Sequence, residues 1–304
     1  MRTFLALVCM VFSVVCYGYE ALNLIPSSSD YVVELIPDRA LKKAGFSDFL
    51  RTVPEYSLIN AAFSAKGVDF EKSIKKAVIA GMYSKRAVII LETTVKEPDL
   101  LSMIKDRKPE TFAVSGRNVH KFFEKNKTIF LSYFANDILM ISEDPTLISE
   151  VKGGGLAGKL SGRFMSSENS NVFGAAHVRN IASLGGDKHE KGINPSSIFG
   201  KVLEEAFFSF GSGDGTMIEV SGELLSDPKN EKMLQFQTNT LFLIVVAKIS
   251  SGNQKLANQI MDSFKISSRD GVVKMNFKID PSLMTSETQN GNEFQEDFFK
   301  LLIN

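Results

Sequence analysis

The chain has 304 residues with 35 basic and 35 acidic side chains, a balance that gives no electrostatic case for nucleic acid or an anionic membrane surface. Phenylalanine is abundant at 24 while tryptophan is absent, so the aromatic surface serves packing more readily than tryptophan-based sugar platforms. A chain of this size buries roughly three quarters of its unfolded surface and needs no disulfide or metal to fold.

Arg2 precedes an uncharged apolar run from Phe4 to Cys16, and Cys16, Tyr17 and Gly18 close it with small residues at −3 and −1. This pattern predicts a signal peptide over residues 1–18, cleaved after Gly18, with the product exported to the periplasm or secreted. The run is too short for the roughly 20 apolar residues of a membrane span, so no transmembrane anchor is expected in the mature chain. Bulky Val15 before Cys16 argues against a lipoprotein signal. Cys9 and Cys16 both fall within the removed segment, which leaves a cysteine-free mature chain with no disulfide or thiolate chemistry.

A first lobe is predicted over residues 19–152. Tyr31 to Ile36 reads as a strand stopped by Pro37, and helices are expected over residues 40–50 and 70–82. In the second helix Phe70, Ile74, Ala77, Val78 and Gly81 would share one face, with Lys72, Lys75 and Lys76 on a solvated one. Arg86 to Thr94 is a continuous apolar strand, and Leu100 to Ile104 a helix behind Glu97 and Pro98. Hairpins follow, Phe112–Ser115 with Val119–Phe123 around Gly116, and Thr128–Ala135 with Ile138–Ser142 around Asn136 and Asp137.

A glycine-rich joint, residues 153–158, leads to a second lobe over residues 159–284. There a strand is expected over Val172–Val178, a polar loop over Gly185–Gly192 and a short helix over Ile198–Glu205. A hairpin follows over Ala206–Phe210 and Thr216–Leu224, with Ile218, Val220 and Leu224 inward. Lys229 to Ile249 is β-branched at its centre, yet its length favours a helix. Gln254–Phe264 is a further helix and Val272–Ile279 a closing strand. Residues 285–304 form a polar linker and an amphipathic tail, in which Phe294, Phe298, Leu301 and Leu302 share one helical face, a candidate partner-binding surface.

Four candidate chemistries fail on their own residues. Gly153 to Lys159 matches a phosphate-binding glycine loop, but Leu160 stands where the Mg²⁺-ligating hydroxyl belongs, and the loop follows a helical pattern rather than a strand. Serine–lysine pairs begin at Ser73, Ser102, Ser149 and Ser226, no more than the abundance of both residues yields by chance. His120, His177 and His189 have no metal-ligand spacing, and His120 and His177 read as structural or surface residues. The loop holding His189, Asp187 and Glu190 reads as a solvated connection. No catalytic, cofactor or metal residues are therefore assigned.

The stretches RAVIILE from Arg86, DILMISEDPTLISEV from Asp137, SSENSNVFGAAHV from Ser166, TMIEVSGELLSDPKNEKML from Thr216 and GVVKMNFKIDPSLM from Gly271 follow one order of features. That order resembles uncharacterised exported bacterial proteins with a two-lobed α+β domain, over roughly residues 30–284. The resemblance implies a fold and carries no catalytic residue. The expected fold class is thus α+β, two lobes each with a mainly antiparallel sheet and helices on one face, related by internal duplication. Asp144–Pro145, Asp227–Pro228 and Asp280–Pro281 support the repeat, since aspartate caps a helix that proline opens. The expected function is an exported non-catalytic binding or scaffold protein with an unknown protein partner. Its rivals are an exported hydrolase without a local motif, and an envelope-assembly subunit docking through the tail.

Overall fold

The computed structural model describes residues 24–26, 28–37, 39, 67–82, 86–124, 127–135, 137–150, 172–179, 199, 202–213 and 216–284. The expectations for the signal segment, the helix at 40–50, the glycine joint, the His189 loop and the tail lie outside them.

Strand β1 (Tyr31–Leu35) pairs antiparallel with β2 (Ile74–Met82), which follows a single helical turn, α1 (Phe70–Ser73). A helix was expected over residues 70–82, and this is corrected. Five apolar positions that fit a helical face equally fit a strand covered on both sides, and residues 76–81 are all buried. Lys76 is therefore not solvated: it is 4% exposed and meets Glu92 at 3.2 Å, its register partner on β3 (Arg86–Thr93). An ion pair so enclosed is held in place by the cost of leaving either charge alone.

Helix α2 (Glu97–Met103) follows, opened by Pro98 at a first turn without a side-chain cap. Strands β4 (Glu110–Val114) and β5 (Arg117–Glu124) form a hairpin. Its turn places Ser115 and Gly116 at φ of 52° and 78°, as a two-residue turn of this hand requires. Strands β6 (Lys127–Ala135) and β7 (Ile138–Ser142) make the next hairpin, and β7 pairs with β3. Helix α3 (Pro145–Glu150) starts where Asp144 accepts the Thr146 amide at 2.8 Å and Arg86 at 2.5 Å.

Strand β8 (Val172–Arg179) precedes the hairpin of β9 (Glu205–Ser212) and β10 (Ile218–Leu225), whose residues 218–225 alternate buried and half-buried as the sequence predicts. Asp227 accepts the Lys229 amide at 3.0 Å, and one 3-10 turn leads into α4 (Glu231–Gly252). Helix α5 (Gln254–Ser263) is capped by Asn253. Strand β11 (Lys265–Arg269) then pairs with β12 (Val272–Ile279) through Asp270 and Gly271, both at positive φ. A Cβ at Gly271 would strike the Ser226 carbonyl oxygen, so glycine is needed there twice over. Helix α6 (Pro281–Met284) repeats the aspartate start, with Asp280 accepting the Ser282 amide at 2.9 Å.

The result is an α+β fold with a large antiparallel sheet and a few helices. Its described pairings run β4-β5-β6-β7-β3-β2-β1 and β9-β10-β12-β11. The chain clusters into two compact units, and their division falls inside β8 at Ala176 and His177. In the second, Leu234 of α4 packs with Phe199, Leu203, Ala206, Leu224 and Val273. Among the described strands, β4 and β11 each end one of these runs.

Candidate functional site

Three places bring polar or apolar side chains together in ways the sequence does not announce. The first is built on the β4–β5 hairpin. Register sets Thr111 directly opposite His120, and the Thr111 hydroxyl lies 2.9 Å from Nδ1. The other ring nitrogen, Nε2, lies 2.7 Å from Glu97 Oε1 at the start of α2. The two ring nitrogens thus bridge a hydroxyl and a carboxylate. His120 is 3% exposed. Behind it the Tyr133 hydroxyl donates to the Val95 carbonyl at 2.8 Å, and burial, aided by the charges of Glu97 and Asp99, pushes its pKa well above the usual phenol range.

Hydroxyl, imidazole and carboxylate in line resemble a nucleophile with its base and orienter. Chemistry there would also need a bound electrophile and donors for its oxyanion. The neighbouring open cleft, about 440 Å³, is lined by Gly67, Asp69, Ser73, Val95, Asp99 and Ser102, and does not reach Thr111, His120 or Glu97. Its wall is a brace: the Ser73 carbonyl accepts from the Thr93 hydroxyl at 2.9 Å and the Thr94 amide at 2.8 Å. The contact of His120 with Glu97 ties α2 to the β4–β5 hairpin.

The second place lies in the other unit. His177 of β8 is 3% exposed, stacks on Phe207 at 4.1 Å between ring centres, and sits 3.3 Å from Glu205. Both histidines, expected as structural or surface residues, are buried beside a glutamate. Among the described residues no group of three acidic, histidine or cysteine side chains could hold a metal.

The third place is α4. Its inward stripe is Leu234, Thr238, Phe242, Val246 and Ile249, with Phe242 stacked on Phe264 at 3.5 Å. A second apolar stripe lies outward. Met233 is 54% exposed, Phe236 71%, Leu243 55% and Ile244 41%, and Ala247 continues it. These positions are separated by steps of three, seven, one and three, which places them on one side of the helix, with half-buried Thr240 between Phe236 and Leu243. Sequence reasoning recognised the helix but not that both its faces are apolar. The signal was present, since no polar stripe runs through LFLIVVA. Among the described residues no helix is long and apolar enough to cross a membrane.

The architecture is that of an α+β protein built on a broad antiparallel sheet. Among solved structures it is similar to the treponemal protein TP0453 in crystal form III, with a TM-score of 0.53 and 11% identity over 86% of this chain and 95% of that one. Crystal form IV of the same protein gives a TM-score of 0.49 at 11% identity, over 87% of this chain and 96% of that one. At that identity the likeness is one of fold. No family model and no curated protein matches the chain.

Proposed function

We propose that the chain is an exported, non-catalytic binding or scaffold protein that engages a protein partner through the outward face of α4. The carrying observation is the strip Met233, Phe236, Leu243 and Ile244 on a helix whose other face is already packed. A soluble chain exposes scattered apolar residues as a matter of course, but a contiguous strip along one helix marks a surface meant to be covered. An amphipathic helix presented by the partner would suit it, because ridges on one helix seat in the grooves of another. The repeated sequence of hairpin, aspartate, proline and helix at α3 and α4 further supports an internal duplication, which superposing residues 128–152 on 206–234 tests.

The experiment is a photo-crosslinking side chain at position 236 of the full chain in its own cells. A discrete protein adduct, lost on Leu243→Asp, is expected. Absence of any adduct between chains, or one indifferent to Leu243→Asp, would overturn the reading.

A hydrolase is the second reading, and the line of Thr111, His120 and Glu97 is what favours it. Thr111→Val should then abolish hydrolysis of an ester substrate while leaving the fold intact. The cleft of about 440 Å³ between Gly67 and Ser102 is lined by other residues than Thr111, His120 and Glu97, which does not favour it.

A further inference from the structure

Arg269 pairs with Val272, so β11 and β12 are joined by the two residues Asp270 and Gly271. Both take positive φ, 53° and 80°, the backbone of a tight hairpin turn of this hand. The Asp270 side chain is 83% exposed and meets Arg269 Nε at 3.1 Å, on a side chain that is itself 90% exposed. An ion pair so open to water fixes little. In an aspartate–glycine pair the following amide also meets the least hindrance on approaching the side-chain carboxyl, because glycine has no Cβ.

Gly271, by contrast, is pinned at both ends of its backbone. Its amide donates to Glu231 Oε2 at 2.9 Å, and its carbonyl accepts from the Ser226 amide at 2.9 Å. Glu231 stands in the first turn of α4, and its carboxyl is held below the usual range by the Gly271 amide first and by the Ser268 hydroxyl next. For the Gly271 nitrogen to reach the Asp270 carboxyl carbon, the peptide between the two residues must rotate. That rotation carries the N–H off Glu231, so the anchor opposes the one motion that attack requires.

We propose that Asp270 is a site of spontaneous isomerisation to isoaspartate, and that Glu231 sets its rate by holding the Gly271 amide. The protonated Asp270 carboxyl is the electrophile. The Gly271 nitrogen forms a bond to the carboxyl carbon, the nitrogen's proton and the carboxyl hydroxyl leave together as water, and a succinimide ring results. Water then adds to either ring carbonyl: opening at one restores aspartate, and opening at the other leaves the chain running through the side-chain carbon. Nothing is oxidised or reduced, and the mass is unchanged. The isomerised path is longer by one carbon, roughly 1.5 Å, so a two-residue turn no longer delivers Gly271 to both Glu231 and Ser226. Ageing at this residue thus loosens the start of α4, and the chemistry does not depend on the binding role proposed for that helix.

The test holds the full chain at neutral pH for weeks and reads position 270 by peptide mapping. Isoaspartate shows as a peptide of unchanged mass and altered retention that accepts a methyl group from an isoaspartyl carboxyl methyltransferase. It is expected at 270 in the folded parent, forming several-fold more slowly than in the same chain unfolded in guanidinium. Equal rates, or no isoaspartate at 270 in the folded chain, would overturn the proposal. Glu231→Ala should speed the folded chain's isomerisation several-fold, whereas Glu231→Gln, which keeps an acceptor oxygen, should stay near the parent. Leu234→Ala weakens the same helix from the cluster around Leu224 and Val273 and should also leave the rate near the parent. A Glu231→Ala rate equal to the parent's, or a Leu234→Ala rate just as fast, would overturn the control assigned to Glu231.

Discussion

Strand β2 and helix α4 are both apolar on more than one side, and they resolve that condition differently. Six consecutive residues of β2, 76–81, are buried because β1 and β3 flank it and both faces are covered. Helix α4 buries Leu234, Phe242, Val246 and Ile249 and leaves Met233, Phe236, Leu243 and Ile244 in solvent. All-round apolarity in a strand is the mark of a central position. In a helix that touches its own sheet on one side, it marks a surface awaiting a second contact.

Substitutions rank the two regions. Ala77→Asp in β2 should have the largest effect, since position 77 is 0% exposed and a carboxylate there has no partner built for it. A loss above about 4 kcal/mol is expected, enough to leave little soluble folded protein. Normal expression with an unchanged melting temperature would break the central placement of β2. Leu234→Ala, on the inward face of α4, should cost about 3 kcal/mol by urea denaturation, the usual scale for a buried leucine removed from a close-packed cluster.

The start of α4 should respond more mildly and to pH. Asp227 has its carboxyl held below the usual range by the Lys229 side chain first and by the Lys229 amide next. A group whose folded pKa is lowered gives stability that is fully present above the unfolded aspartate value of about 3.9 and is lost as pH falls through the folded value. Asp227→Ala should therefore melt below the parent at pH 6, with the two curves converging in the acid range. A constant gap across pH would show that the carboxylate charge is not what the helix start uses. Smallest of all, Phe236→Ser should change stability by about 0.5 kcal/mol or less while lowering the binding of an apolar-surface dye at the outward strip. A cost like that of Leu234→Ala would mean that the strip is already part of the core.

The same contrast explains what could be read from the sequence. The β9–β10 hairpin was legible because its residues alternate, and α4 because its apolar run exceeds a strand's length. Strand β2 was misread since Phe70, Ile74, Ala77, Val78 and Gly81 satisfy a helical period by coincidence, and only neighbouring strands decide the matter. Strand β11 escaped notice because KISSR carries little apolar signal, although Asp270 and Gly271 mark a hairpin turn. The aspartate–proline starts at Asp144, Asp227 and Asp280 are local and were readable, and each makes its amide bond. His120 and Glu97 lie 23 residues apart, so no spacing rule announces their contact.

The terminal strands β4 and β11 differ in how they meet other molecules. Strand β11 spaces Lys265 and Arg269 along its exposed side, and charges so placed discourage a foreign strand from adding. Strand β4 runs Thr111, Phe112 and Ala113 without a charge, and all three are exposed. Colloidal failure of concentrated stocks will thus begin at the β4 rim, by strand addition between molecules. Phe112→Lys should delay the onset of turbidity and leave the melting temperature where it was, and an unchanged onset would place the nucleus elsewhere.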